Sequence, residues 1–103
     1  MANDVRKGDH RFEVVVDAEV VGYAEYLDAA GVRSFEHTVV ADRFQGRGLA
    51  GQLVRKALDA TRSEGLEVDP VCSYVRRFIV DHDDYLDLVP ADQRARHDLP
   101  IEA

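Results

Sequence analysis

Cysteine, tryptophan and proline are scarce in this 103-residue chain, which has one Cys, no Trp and three Pro. A lone Cys72 closes no internal disulfide, and no Cys/His spacing resembles a zinc site. The histidines at 10, 37, 82 and 97 also lack close metal spacing. These shortages predict a reducing compartment and no metal. The opening Met1-Ala2-Asn3-Asp4-Val5-Arg6-Lys7-Gly8 has no apolar signal core. Nor does any apolar run approach the ~18 residues of a membrane-spanning helix, so the expectation is a cytoplasmic protein. Positive charge is also short: 13 Lys and Arg stand against 20 Asp and Glu, a net −7. General nucleic-acid binding needs a surplus of Lys and Arg on one face, so the balance argues against that class while leaving room for a local basic site. A chain this short buries roughly 60–70% of its unfolded surface around a single core, with no room for a second catalytic domain or a two-halved dinucleotide fold.

What is present fits one globular domain over residues 1–103, with 46% apolar and 32% charged residues. Arg11 to Val16 and Glu19 to Leu27, separated by Asp17-Ala18, read as a β-hairpin. Gly31 closes the next turn. Val32 to Ala41 then reads as a third strand of an antiparallel meander, with Phe35, His37 and Val39 on one face and Glu36, Thr38 and Val40 on the other. The period then changes. Leu49, Leu53, Val54, Ala57, Leu58 and Thr61 form one helical stripe opposite Gln52, Arg55, Lys56, Asp59 and Arg62, and Gly65 stands where a helix-ending glycine belongs. Leu66 to Cys72 reads as a fourth strand interrupted by Pro70, and about Ser73 to His82 as a second helix. Asp83 to Val89 is one more helical turn or a loop. The core therefore runs from about 11 to 89, and 90–103, poor in apolar residues, reads as a loosely held tail.

The segment Ala41 to Gln52 joins the third strand to the long helix through Gly46, Gly48 and Gly51. A glycine-lined helix entry suits an anion, because the first amides of a helix have no intrahelical partner and lie at the positive end of its dipole. Arg43, Arg47, Arg55 and Lys56 against Asp42 make this stretch locally basic. A phosphate loop of the Walker type is excluded, since the Lys and hydroxyl that hold phosphate and magnesium are missing. Gly46-x-Gly48-x-x-Gly51 does match the dinucleotide fingerprint literally, with Glu67 or Asp69 near the expected offset. The antiparallel meander before it and the single strand after it argue against that fold. A tight turn with incidental arginines is a further reading.

The residues Gln45-Gly46-Arg47-Gly48-Leu49-Ala50 resemble the Gln/Arg-x-x-Gly-x-Gly/Ala signature of the GNAT superfamily of acyl-CoA-dependent N-acetyltransferases. The order of strand, signature, amphipathic helix, strand and helix is also similar. So are His37-Thr38 before the turn, Pro70-Val71-Cys72 after it and His82 to Tyr85 beyond. Together these resemble the short stand-alone YjdJ-like branch, over about Phe12 to Val89. The resemblance implies an α/β (α+β) fold with a mixed, mostly antiparallel sheet that splays between the third and fourth strands and admits the pantetheine arm of acetyl-CoA. The pyrophosphate would lie on the amides from Gly46 to Ala50, with Arg43 or Arg47 adding charge. A primary amine of a small molecule or protein would be the acceptor. An open sheet edge would allow a homodimer as well as a monomer.

Acyl transfer from a thioester to an amine requires a base for the amine proton and an acid for the departing thiolate. His37 is the base candidate, because an imidazole titrates near neutrality and its strand leads into the glycine turn. Glu36 is expected to point away from it. Cys72 ends the fourth strand where many members carry Asn, which the resemblance places near the thioester. Where many members carry an acidic Tyr seven residues later, this chain has Ile79; Tyr74 and Tyr85 are the substitutes. The missing Tyr also supports an alternative, a non-catalytic acyl-CoA-binding module. A structural protein without ligand is a third class.

Overall fold

A computed structural model describes residues 3–100. Strands β1 (Asn3–Gly8), β2 (Arg11–Val16), β3 (Glu19–Ala29), β4 (Val32–Val40) and β5 (Glu67–Asp69) form one sheet in chain order. The first four are antiparallel and β5 runs parallel to β4. Helices α1 (Leu49–Ser63), α2 (Ser73–Asp81) and α3 (Ala91–Arg96) accompany it, with 3-10 turns at Asp42–Phe44 and Asp83–Leu88. The hairpin turns carry the positive φ values that tight turns between twisted strands demand: Asp17 at 48° and Ala18 at 69°, then Ala30 at 53° and Gly31 at 81°.

The meander has one strand more than the sequence pattern implies. β1 holds a single apolar residue, Val5, and is mostly exposed, so it carries no hydrophobic alternation to read. It is held by its backbone register against β2 and by Arg6 on Glu13 at 3.0 Å. The expected alternation along β4 also fails. Glu25 pairs with His37 while Tyr26 pairs with Phe35, which leaves Glu36 as the extra residue of a β-bulge. Ahead of the bulge Arg33 and Phe35 are buried; beyond it Thr38 and Val40 turn inward and His37 and Val39 are exposed. Phe35 and His37 therefore do not share a face.

Helix α1 lays its whole apolar stripe, Leu49 to Thr61, into the core. Leu53 and Leu58 are fully buried, each contributing about 1.5–3 kcal/mol by removal from water. Gly65, at φ 72°, follows the helix end as its sequence position implies. β5 is shorter than the expected 66–72. It pairs with Val32 to Ser34 and stops at Asp69, because Pro70 has no amide to continue the ladder. α2 buries Val75, Phe78 and Ile79, as its spacing implies.

The segment after Pro90 is not loose over its described part. Few apolar residues mark it, yet Leu99 is buried in the core and the His97 ring is buried against Asp69, Nε2 to Oδ1 at 2.7 Å. Arg94 Nε donates to the Val89 carbonyl at 2.7 Å. Residues 101–103 of the expected tail lie outside the described residues. No helix among the described residues is long and apolar enough to cross a membrane.

Candidate functional site

The glycine turn is built by two left-handed residues. Gly46 has φ 78° and Gly48 has φ 73°, and a Cβ on either would meet nothing within 4 Å. Gly48 is the N-cap of α1, and no side chain caps the helix. The first ladder bond runs from the Gln52 amide to the Gly48 carbonyl at 3.1 Å, which leaves the amides of Leu49, Ala50 and Gly51 without an intrahelical acceptor. Open space, free amides and the positive end of a 15-residue helix together suit an anion. Gln45 holds the turn's shape: its Nε2 donates to the Val40 carbonyl at 2.8 Å. The Leu49 side chain goes into the core, so that residue offers the turn only its backbone.

Two of the nearby basic side chains have partners of their own. Arg43 is ion-paired with Glu19, and the Arg43 and Arg47 guanidinium groups each lie 5.0 Å from the Phe44 ring centre. Lys56 borders a separate hollow beside Asn3 to Val5. Arg55 does face the turn. With Gly48, Gly51, Tyr74, Arg77 and Phe78 it lines a cavity of about 380 Å³ between the starts of α1 and α2. Arg77 was not marked by the sequence motif, although its place one helical turn after Ser73 carries it there. His82 closes the same cavity, its ring stacked on Phe78 at 4.0 Å.

On the other side of α2, the sheet opens. Pairing between β4 and β5 ends at Ser34 and Asp69, and one further bond, from the Cys72 amide to the Phe35 carbonyl at 2.7 Å, fixes the divergence. Beyond it a cleft of about 510 Å³ is lined by Glu36, His37 and Thr38 of β4, Tyr23 and Glu25 of β3, and Cys72, Ser73 and Arg76 at the start of α2. The half-buried Cys72 thiol lies 3.5 Å from Thr38 Oγ1. His37 and Cys72 thus meet at one cleft. Glu36 joins them there, contrary to the expected alternation, because the bulge undoes the separation of neighbouring residues onto opposite faces.

Neither candidate acid lines this cleft. Tyr74 faces the cavity at the glycine turn. Tyr85 is buried, its hydroxyl donating to Asp59 Oδ1 at 2.7 Å and accepting from Arg55 Nη1 at 3.1 Å. Burial and then Asp59 push its pKa up. Ile79 is a core residue, 1% exposed. Glu25 and Arg76 were not legible as site residues, since they come from β3 and α2 and only the folded sheet brings them to one cleft.

Comparison with known proteins places these features in context. A family model described as GCN5-related N-acetyl-transferase matches residues 11–88. Protein NATD1 of Bos taurus is 39% identical over 44 residues, 43% of this chain. Its Xenopus tropicalis counterpart is 34% identical over 55 residues, 53% of this chain. The matched stretch spans 39% and 50% of the length of those relatives. In backbone the chain is similar to a GCN5-like protein from Staphylococcus aureus, with TM-score 0.67, 19% identity and coverage of 84% of this chain and 87% of that one. It is also similar to the Escherichia coli GNAT family N-acetyltransferase YhbS in complex with CoA, with TM-score 0.54, 25% identity and coverage of 66% and 43%. A Brucella melitensis GNAT family acetyltransferase in complex with acetyl-CoA gives TM-score 0.53 at 23% identity, covering 66% and 50%. The mixed, mostly antiparallel five-stranded sheet is the fold these structures share with it.

Proposed function

Because the chain belongs to the GCN5-related N-acetyl-transferase family, whose model spans residues 11–88, we propose that it binds acetyl-CoA and transfers the acetyl group to a primary amine. The observation that carries this reading is the cleft left where β4 and β5 part after Ser34 and Asp69, with His37 and Cys72 on its walls. The extended pantetheine arm would lie in that opening. Its pyrophosphate would sit on the amides from Gly46 to Ala50, where Gly46 and Gly48 leave open space in place of a Cβ.

In the transfer, the amine nitrogen attacks the thioester carbonyl carbon, the C–S bond breaks, and acetyl passes to nitrogen. His37 takes the proton the amine loses, directly or through water. The exposed cleft lets solvent return a proton to the departing sulfur, a role that Ile79 cannot perform. Cys72 and Thr38 line the path of the thioester. In this reading acetyl moves directly from bound thioester to amine without an acyl-enzyme.

The buried Ile79 and the engaged Tyr85 favour one second reading, an acyl-CoA-binding module without turnover. Calorimetric titration with CoA, acetyl-CoA and NAD is the first test. CoA and acetyl-CoA are expected to bind, and a ligand at 100 times its Kd raises stability by about 2.7 kcal/mol. NAD binding with none for CoA would overturn both readings. Release of CoA thiol in the presence of an amine panel then separates enzyme from module.

A further inference from the structure

The cleft beside Cys72 is bipolar. At one end Glu25, Glu36 and His37 are shared with an adjoining hollow of about 230 Å³. Among the described residues neither carboxylate has an ion pair or a side-chain hydrogen bond. Arg11, opposite Glu25 in the strand register, turns instead to Glu13 at 2.9 Å. Arg76, half-buried on α2, lines the same cleft but not that hollow.

Arg76 differs from the ion-paired arginines, as does Arg55, which meets the Tyr85 hydroxyl and lines the cavity at the glycine turn instead. Arg33, Arg43, Arg62 and Arg77 each meet a carboxylate. Arg76 has none among the described residues; its Nη1 lies 3.4 Å from Nδ1 of His97. His97 is 9% exposed, and its Nε2 lies 2.7 Å from Asp69 Oδ1. With the ring proton on Nε2 toward Asp69, Nδ1 accepts from Arg76, so a buried chain from β5 through the C-terminal segment orients the guanidinium. Its remaining donors are left for an incoming anion, and a planar carboxylate matches the guanidinium fork.

We propose that the acceptor is an amine that carries its own carboxylate, as a free amino acid does. Arg76 takes the carboxylate, while Glu25 and Glu36 draw the ammonium into the cleft; it yields one proton to solvent to become the attacking amine, and His37 takes the second as the C–N bond forms and the C–S bond breaks. This rests on the acetyl-transfer reading and adds to it the class of acceptor.

The test compares the common L-amino acids, their α-amides and the corresponding decarboxylated amines as acceptors at saturating acetyl-CoA, in the natural protein, Arg76→Ala and Arg76→Lys. Arg76→Ala is expected to lower kcat/KM for the amino acids about tenfold or more. The amides and amines, which have no carboxylate to lose, stay within about twofold of their natural values on the same reasoning. Arg76→Lys recovers part of the loss. Calorimetry adds a readout independent of turnover: amino acids bind the CoA-loaded natural protein and lose that binding in Arg76→Ala, while CoA affinity is unchanged. Intact CoA binding with equal losses for all three acceptor series, or with no amino acid accepted or bound, overturns this proposal alone. A tenfold fall in CoA affinity in Arg76→Ala also overturns it, assigning the guanidinium to a CoA phosphate. Failure of CoA to bind the natural protein overturns the transfer reading and this proposal together.

Discussion

The two halves of β4 treat charge in opposite ways. Near its start Arg33 is wholly buried, yet every nitrogen is used: Nε and Nη2 donate to Asp28 at 2.8 and 2.9 Å, Nη1 and Nη2 to Glu64 at 3.0 Å, and Nη1 also reaches Thr61 Oγ1 at 3.3 Å. The guanidinium also lies 4.3 Å from the Tyr26 ring centre and 5.5 Å from that of Phe12. Past the bulge, Glu36 and His37 face a cleft with Arg76 across it and no ion pair among the described residues. Burial works against Arg33's charge, but the Asp28 and Glu64 carboxylates outweigh it and raise its pKa. A charge whose donors are all met holds structure together. One left unmet beside a cavity is available to a ligand.

Replacing Arg33 in the first half, and Arg76 of α2 beside the second, is the strongest way to break that contrast. Arg33→Ala removes a buried cation together with its aromatic packing and leaves two facing carboxylates, an expected loss of about 3 kcal/mol. Arg76→Ala lies in the cleft and is expected to cost at most about 1 kcal/mol. Urea melts of the two variants measure the difference. Comparable losses would mean that the cleft arginine is as structural as the buried one.

The two ends of α1 supply a matched pair of glycines. Gly48 and Gly65 have φ 73° and 72°, and each has open space where a Cβ would stand. Valine at either should cost about 1–2 kcal/mol from left-handed backbone strain alone. Gly48→Val should also cut CoA affinity by an order of magnitude or more, because it places a branched side chain over the free amides, whereas Gly65→Val should leave affinity unchanged. Thermal melts and calorimetry on both variants separate strain from obstruction. Equal affinity in the two would move the pyrophosphate away from the turn.

The same contrast explains which parts of the molecule could be read in advance. α1 was legible because its stripe of Leu, Val and Ala repeats at helical spacing, and the glycine turn because its glycines stand beside arginines at the entry to that stripe. β1 and the segment after Pro90 were not, since each is anchored by few apolar residues and by polar links such as Arg6 to Glu13 and His97 to Asp69. The bulge at Glu36 leaves no mark in composition, yet it changes the face of every later residue of β4. The cleft draws Glu25 from β3, His37 from β4 and Arg76 from α2, residues whose proximity exists only after folding.

Acid should weaken the satisfied half. Arg33 first, then Lys7, hold the Glu64 carboxyl at about 2, below its ordinary 4.5. A depressed folded-state pKa gives stability that is present above about 4.5 and lost as pH falls toward 2. Because Glu64 is 35% exposed in its side chain, solvent screening keeps the effect to about 1 kcal/mol. Urea melts should show Glu64→Gln less stable than the natural protein at pH 6, with the difference shrinking as pH falls toward 2, by the same linkage. A constant difference across that range would remove the ionised Glu64 from the account of this network.

Cys72 should give the smallest effect, and the most specific information about the unmet half. Its thiol is half-buried and touches Thr38 Oγ1 at 3.5 Å, a weak contact whose loss in Cys72→Ala should change stability by less than about 1 kcal/mol. CoA affinity should stay within about threefold, since the proposed phosphate contacts lie at the glycine turn. An acyl-enzyme route would require the thiolate to attack the thioester, take the acetyl group and release CoA before any amine arrives. Intact-protein mass spectrometry after incubation with acetyl-CoA distinguishes this from direct transfer. The expected result is an unchanged mass with acetyl appearing only on the amine, because His37 on the facing strand can serve the amine without a covalent relay. A stoichiometric acetyl adduct on Cys72 that an amine then discharges would transfer the central role from His37 to the thiol.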